Sequence, residues 1–390
     1  MHKEIIQTFK VNYKYKIYFT DDLFDKKNKL LFNIFKNDKK NNKKLIIIID
    51  KNITYYHSKI VENIKDFFKT NEMNIILQCN PILITGGEKV KNHYMIIKYL
   101  YNIIHKYKIC RQSYIMTIGG GSLLDAVGFA SSTAHRGVKL IRIPTTTLSQ
   151  DDSGVGVKNG INFDGKKNFI GTFHVPNVVI NDYKILKSLS NKDWMSGISE
   201  AIKVALIKDK SLFEYIYSNK NNIIKREDNI VKHIIFKSAK LHADHISKQG
   251  DPFEILSSRP LDFGHWAAHK LETLTKFKIS HGEAVAIGIA LDVTYSYLIN
   301  LLNKSEWKKI IEILINLNFK IYIKEMSRIK NDKFIIFDGL SEFQEHLGGR
   351  LTITLLKKIG LGFNVNHVNK KLYIKSINLL KKITFIHNSI

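Results

Sequence analysis

The sequence predicts an α/β protein whose N-terminal half is a doubly wound parallel sheet. Three observations carry that expectation. KLIIIID (Lys44–Asp50) is a continuous apolar run suited to a strand buried on both faces. Short strand-like runs alternate with stretches of helical periodicity, the pattern of βαβ units. An apolar strand at Tyr114 runs into Gly119, Gly120 and Gly121 and then into an amphipathic helix.

Taken in order, Lys14–Phe19 and Lys44–Asp50 read as strands, and Asp50 falls at a strand end, where such sheets place ligand contacts. The stretches His57–Thr70 and Val90–Tyr107 have helical periodicity. Between them, Ile75–Leu77 and Pro81–Thr85 are strand material before Gly86 and Gly87 turn the chain. At the triple glycine, bare backbone can approach a pyrophosphate, and the helix that follows offers N–H groups and a positive dipole end. Ser122 is the candidate cap of that helix; the competing reading is an ordinary Gly-rich turn. The run lacks the G-x-G-x-x-G spacing, which disfavours a standard Rossmann dehydrogenase. A further strand ends at Pro144, with the hydroxyls of Thr145, Thr146 and Thr147 at its edge. The polar, Gly-containing loop beyond carries Asp151, Asp152, Lys158, Lys167 and Asn168, a composition typical of binding loops.

Length and composition bound the rest. A chain of 390 residues has room for two domains, and 44% apolar residues with only 5 prolines exclude a disordered one. The formal net charge is +26. Its lysines are spread along the chain among Asn, Ile and Tyr, and Lys39, Lys40, Lys43 and Lys44 read as a solvated loop, so nucleic-acid binding is not expected. Such a field favours an anionic small substrate. Cys79 and Cys110, without C-x-x-C spacing, fit a reduced compartment. The charged N-terminus and the lack of a long apolar run predict a cytoplasmic protein with no membrane span.

In the second half, Arg259–Gly288 gathers His265, His269 and His281 within seventeen positions. His265 and His269, four apart, share a helix face, a spacing able to chelate a divalent cation. The alternative is that each is a satisfied core or cap residue. A metal would need an acidic ligand from elsewhere.

Five segments, GGGSLLDAVGFASSTAHRG, PTTTLSQDDSGVGVKNGINFDGKKNFIG, SGISEAIKVALIKD, FGHWAAHKLE and SHGEAVAIG, occur in the order seen in 3-dehydroquinate synthase and related sugar-phosphate cyclases. The chain resembles that family, and GDPFE, RPLDFGHW and GGRLTITL resemble its Ebo-type branch. The resemblance implies an NAD-binding α/β domain over 1–185 and a mostly helical metal- and substrate-binding domain over 186–390. It implies NAD and one divalent metal (Zn or Co), a homodimer, and a phosphorylated sugar as substrate. The implied chemistry is oxidation by NAD, phosphate elimination, re-reduction, ring opening and intramolecular aldol closure.

Residue by residue, the resemblance implies NAD contacts at Asp50, Asn52, Glu88, Lys91, Gly120, Gly121, Asp125, Thr145 and Thr146. It implies metal ligands Glu200, His265 and His281, which displaces His269 from the metal to the phosphate side. Asp152, Lys158, Lys203 and His269 match catalytic positions, and Lys167 and Asn168 match phosphate contacts. Arg136 matches an arginine that reaches the neighbouring subunit's phosphate. Lys240 matches a lysine that grips a substrate carboxylate.

The chain departs from the family at substrate positions. The family's R-x-x-x-N-x-G-H becomes Arg259–His265 with the arginine one residue closer and Asp262 in place of Asn. An anion that only accepts hydrogen bonds thus replaces an amide. A late double lysine is missing from Glu342–Gly349, where His346 is the candidate substitute, and Asp251 and Glu254 add acidity. The expected substrate is therefore a phosphorylated seven-carbon sugar, with 3-deoxy-arabino-heptulosonate 7-phosphate one candidate. A glycerol-dehydrogenase-like alcohol dehydrogenase is the rival, but Lys158, Lys167, Asn168 and Lys203 are more phosphate donors than a simple alcohol needs.

Overall fold

The structure, a computed structural model, describes residues 2–36, 43–69, 73–248, 252–253 and 259–388. Lys39, Lys40, Asp251 and Glu254 lie outside the described residues, as does the His346 side chain. Two compact units emerge, one of Met1–Pro144 with Val157–Asn181, the other of Thr145–Gly156 with Asp182–Ile390. A single division at 185/186 does not describe the chain, which crosses between units three times: the loop 145–156, carrying Asp151 and Asp152, packs with the helices.

The first unit is built on a seven-stranded sheet. Its strands are β1 (Lys16–Thr20), β2 (Lys43–Asp50), β3 (Ile75–Leu77), β4 (Ile82–Ile84), β5 (Tyr114–Gly119), β6 (Lys139–Pro144) and β9 (Val178–Asp182). Their order is β1-β9-β6-β5-β2-β3, with β4 also on β2. The β2, β5, β6 and β9 neighbours pair in parallel, and β3 and β4 line successive halves of β2. Helices α1 (Leu30–Lys36), α2 (Lys51–Tyr56), α3 (Ile60–Lys69), α4 (Tyr94–Lys106) and α5 (Gly121–Thr133) fall between the strands. Ile46 and Ile48 of β2 pack with Ile97, Leu100 and Ile104 of α4 and Leu123 and Val127 of α5. Strand alternation sends Leu45, Ile47 and Ile49 to the other face, and all five side chains are buried. Double-sided burial explains why the run is apolar without alternation. The expected doubly wound sheet is present. A hairpin of β7 (Lys158–Phe163) and β8 (Lys166–Phe173) is tied to it by buried Arg142, whose Nη2 donates to Asn159 Oδ1 (2.6 Å) and Lys158 O (3.2 Å).

The second unit holds α6 (Asn191–Lys208), α7 (Lys210–Ser218), α8 (Lys220–Ile224), α9 (Asp228–Lys248) and α10 (His265–Leu274). After them come α11 (His281–Leu298), α12 (Lys304–Asn316), α13 (Asp338–His346) and α14 (Lys370–Asn388). Two small hairpins, β10 (Ile329–Lys330) with β11 (Lys333–Phe334) and β12 (Ile353–Lys358) with β13 (Leu361–Val365), complete it. Helix α11 is the hub: Ala284 to Ser296 are all buried, the mark of a helix surrounded by others. Ser280 and Glu283 cap it reciprocally, so the S-x-x-E spacing fixes where it starts and places His281 in its first turn. No helix among the described residues is long and apolar enough to cross a membrane.

One buried acid sits deep in this hub. Asp292 Oδ1 accepts from Trp266 Nε1 at 3.0 Å and from the Tyr373 hydroxyl at 2.8 Å, joining α11, α10 and α14. Burial, only partly offset by these donors, pushes its pKa up to about 7. A carboxyl that ionises near 4 when unfolded and near 7 when folded is better protonated in the native state between those values. This contribution to stability therefore falls as pH rises from about 4 to about 7, by roughly 4 kcal/mol in all. Urea unfolding across this range should show a shallower decline in Asp292→Asn than in the wild type; parallel profiles would refute the assignment.

Candidate active site

Two helix starts and one helix interior converge in the second unit. Glu200 lies mid-way along α6 and is 1% exposed, while His265 and His281 open α10 and α11. Glu200 Oε1 is 3.4 Å from His281 Nε2 and 3.7 Å from His265 Nε2. The tautomers follow from the other ring nitrogens. His265 Nδ1 lies 3.1 Å from the Phe263 carbonyl and His281 Nδ1 lies 3.2 Å from Glu272 Oε2. Both partners accept, so each Nδ1 carries a proton, and in the neutral rings each Nε2 presents a lone pair to Glu200. A carboxylate oxygen facing two lone pairs is repulsive unless a cation sits between them. Tetrahedral ligand bonds of about 2.1 Å put neighbouring donor atoms roughly 3.4 Å apart, which is the spacing found. The trio suits a divalent ion and leaves coordination positions open.

Close helix approach makes this possible. A Cβ on Gly282 would come within 2.3 Å of the Ser196 Cα, one turn before Glu200, so α11 meets α6 backbone to backbone. A Cβ on Gly288 would fall 2.0 Å from the carbonyl of Gly264, the left-handed residue (φ 77°) that turns the chain into His265.

Around the trio is a charged shell. The Lys203 ammonium, one turn from Glu200, sits 2.5 Å from Glu200 Oε2 and 3.7 Å from Asp152 Oδ1. Burial opposes its charge, yet Asp152 and Glu200 together raise its pKa. For Glu200 and Asp152 burial likewise favours the neutral acid, but the Lys203 charge overrides it and holds both carboxyls low. Burial and then Lys203 lower the His265 pKa, favouring the neutral ring. Asp151, 1% exposed, is pushed well up by burial and by the charges of Asp152 and Glu200, which favours its protonated form. Asp262, in the short turn Pro260–Asp262 opened by Arg259, acts electrostatically on Lys203 and His265.

Two residues that the sequence reading passed over belong here. His242 Nδ1 is 2.8 Å from Asp152 Oδ1, ninety positions away in the chain. Glu272 holds His281. Lys240, by contrast, is 53% exposed at its side chain and pairs with Asp244 at 2.6 Å along the outside of α9. His269 stays near the trio, its ring 5.3 Å from that of His265 and 5.9 Å from that of His281. Thr146 is engaged locally, its hydroxyl 2.8 Å from that of Ser149, and Thr145 is buried beside it.

The first unit gathers a second set. Buried Lys91 reaches Asp125 Oδ2 at 2.7 Å and also Asn168 Oδ1. Glu88 accepts from Ser122 Oγ and Asn162 Nδ2, each at 2.9 Å, and Asn162 Oδ1 accepts from the Asn168 amide at 2.9 Å. Burial disfavours the Glu88 charge, but Lys167 and Lys91 outweigh it and lower its pKa. Ser122 is thus not the cap of α5: Gly120 is, and no side chain caps the helix, leaving its first N–H groups to an anion. Asp50 caps α2 through the Asn52 amide at 2.9 Å and accepts from Gly86 N at 3.0 Å. Asn52 and Lys158 are exposed. So is Arg136, displayed from a turn in which His135 (φ 53°) and Arg136 (φ 61°) are both left-handed.

Family models for 3-dehydroquinate synthase match residues 81–196 (N-terminal) and 197–338 (C-terminal). The chain belongs to the 3-dehydroquinate synthase family. A curated 3-dehydroquinate synthase from Pelagibacter ubique is 31% identical over 363 residues, covering 91% of this chain and 94% of the relative. Among solved structures, ValA (2-epi-5-epi-valiolone synthase) from Streptomyces hygroscopicus subsp. jinggangensis, with NAD+ and Zn2+ bound, aligns with a TM-score of 0.84. It is 22% identical and the alignment covers 97% of this chain and 99% of that one. A 2-deoxy-scyllo-inosose synthase complexed with carbaglucose-6-phosphate, NAD+ and Co2+ aligns at 0.68, with 21% identity over 93% and 95% of the two chains. These likenesses establish the fold.

The glycine contacts make a separable test of the geometry. Gly282→Ala should force α11 away from α6, lower stability by about 1–3 kcal/mol and weaken zinc binding in a chelator competition. Unchanged zinc affinity would show that this approach does not set the spacing of the trio.

Proposed function

We propose that this chain is an NAD- and metal-dependent sugar-phosphate cyclase that closes a heptulosonate or heptulose phosphate into a carbocycle and releases inorganic phosphate. The observation that carries the proposal is the buried Glu200–His265–His281 trio with Asp152 and Lys203 beside it. A divalent ion held by Glu200, His265 and His281 would supply Lewis-acid activation of a substrate hydroxyl, and NAD held at the uncapped start of α5 would supply reversible hydride acceptance.

The chain's own groups do the rest. Asp152, held ionised by Lys203 and His242, accepts a hydrogen bond from a substrate hydroxyl and fixes which carbon is presented. Lys203 keeps Glu200 and Asp152 charged at close quarters, so both remain acceptors. Lys158, Lys167 and Asn168 supply two ammonium groups and an amide for phosphate oxygens, with His269 as a further donor. Asp50, Asn52, Glu88, Lys91, Asp125, Thr145 and Thr146 are the proposed dinucleotide contacts. Arg136 is proposed to act across a homodimer. Arg259 and Asp262 are the proposed readers of the sugar. Lys240, engaged with Asp244 on the outside of α9, would have to leave that pair to contact substrate.

Two measurements test this. With NAD and zinc or cobalt, heptulose and heptulosonate phosphates should yield phosphate without net NADH; steady NADH accumulation without phosphate would make the chain an alcohol dehydrogenase. Glu200→Gln and His281→Ala should each lose bound metal and turnover yet keep NAD binding, and full metal content in either would refute the ligand set.

A further inference from the structure

Glu272 is a buried carboxylate, 3% exposed, that the proposed chemistry leaves without a role. It lies on α10, three residues after His269 and seven after His265, and so on the helix stripe that faces the trio. Its Oε2 is 3.2 Å from His281 Nδ1, the nitrogen opposite the one turned to Glu200. His269, Glu272 and His281 also offer donor atoms within 4.8 Å of one another, a second grouping that shares His281 with the first.

Protonation chemistry decides between the two uses of His281. A neutral imidazole has one lone pair. If His281 Nε2 faces Glu200 with that lone pair, Nδ1 carries the proton and gives it to Glu272. A second ion at Nδ1 would require an imidazolate, with Glu272 and His269 as its only companions. The two trio histidines differ instructively. His265 is held by the carbonyl of Phe263, two residues away, so its orientation is built into the backbone. The ring of His281 opens α11 and takes its orientation from a side chain on another helix.

We propose that Glu272 is the positioning residue of the metal centre: it fixes the tautomer and rotation of His281 and raises the basicity of Nε2, without binding an ion itself. An anionic acceptor behind a histidine ligand strengthens the ligand more than a neutral one does, and losing it costs about 10–100-fold in metal affinity. This rests on the reading of Glu200, His265 and His281 as one metal site.

The test is cobalt(II) titration of the metal-free full-length protein against a competing chelator, with the visible spectrum recorded. The wild type should bind one cobalt per chain. Glu272→Gln, which keeps the shape and an acceptor oxygen, should still bind one, about 10–100-fold more weakly and with a shifted spectrum. Its metal-free urea midpoint should stay near the wild-type value. Glu272→Asp, carrying the charge one methylene short, serves the same comparison if the glutamine variant does not fold. Unchanged cobalt affinity in the folded variants would overturn the positioning role, even if metal-free stability fell. Two ions in the wild type with one lost in the variant would make Glu272 a ligand. No cobalt bound by the wild type would sink the metal-site reading itself.

Discussion

The second unit depends on keeping one carboxylate charged where almost no water reaches it. Glu200 sits in the middle of α6, where Ala201, Ile202 and Val204 are buried with it. An isolated carboxylate there would take up a proton. Lys203 prevents this at 2.5 Å, but a buried ion pair stabilises a fold poorly, since desolvating two charges offsets most of their attraction. The pair is better understood as preparation. It leaves Glu200 Oε1 ionised, facing two imidazole lone pairs, in an arrangement that is costly without a cation and favourable with one.

That preparation requires three backbones to come close, and side-chain chemistry alone could not do it. Gly282 removes the atom that would hold α11 off α6, and Gly264 with Gly288 does the same between α10 and α11. The capping box at Ser280 and Glu283 then sets where α11 begins, and so the height of His281 along it. Small residues set the distance, caps set the register, and acceptors behind the rings set the tautomers. Each is a separate constraint, and all act on the same few ångströms.

Much of this was legible in the sequence because it is local. The triple-glycine strand–turn–helix and the apolar β2 run are short-range patterns with one physical solution. Residues that work through distant partners were not. The Asp152–His242 contact spans ninety positions, and no spacing announces it. Lys240 lies on the outer side of α9 for a geometric reason: residues two apart on a helix are rotated by about 200°, so a helix that turns His242 towards Asp152 turns Lys240 outward. The i, i+4 spacing of His265 and His269 correctly placed them on one face. It could not reveal that Glu200, on another helix, would come within 3.7 Å of His265 and 3.4 Å of His281. Nor could strand patterning show that residues 145–156, which follow β6 in an α/β rhythm, would join the helical unit.

The surplus of positive charge and the acidity of the site act on different length scales. A net charge of +26 is a property of the surface, and at physiological salt its influence decays over about 8 Å. It can raise the encounter rate of an anionic ligand, and added salt would remove that advantage. It does not reach the buried centre, where Glu200 and Asp152 face Lys203 at close range and burial pushes the Asp151 carboxyl towards its neutral form. On the proposed function, phosphate attraction and hydroxyl recognition would thereby be separated. Lysines dispersed over the chain draw in any anion of suitable size. Selection would fall to a few carboxylates that accept hydrogen bonds in fixed directions and so discriminate by hydroxyl geometry, which long-range charge cannot do.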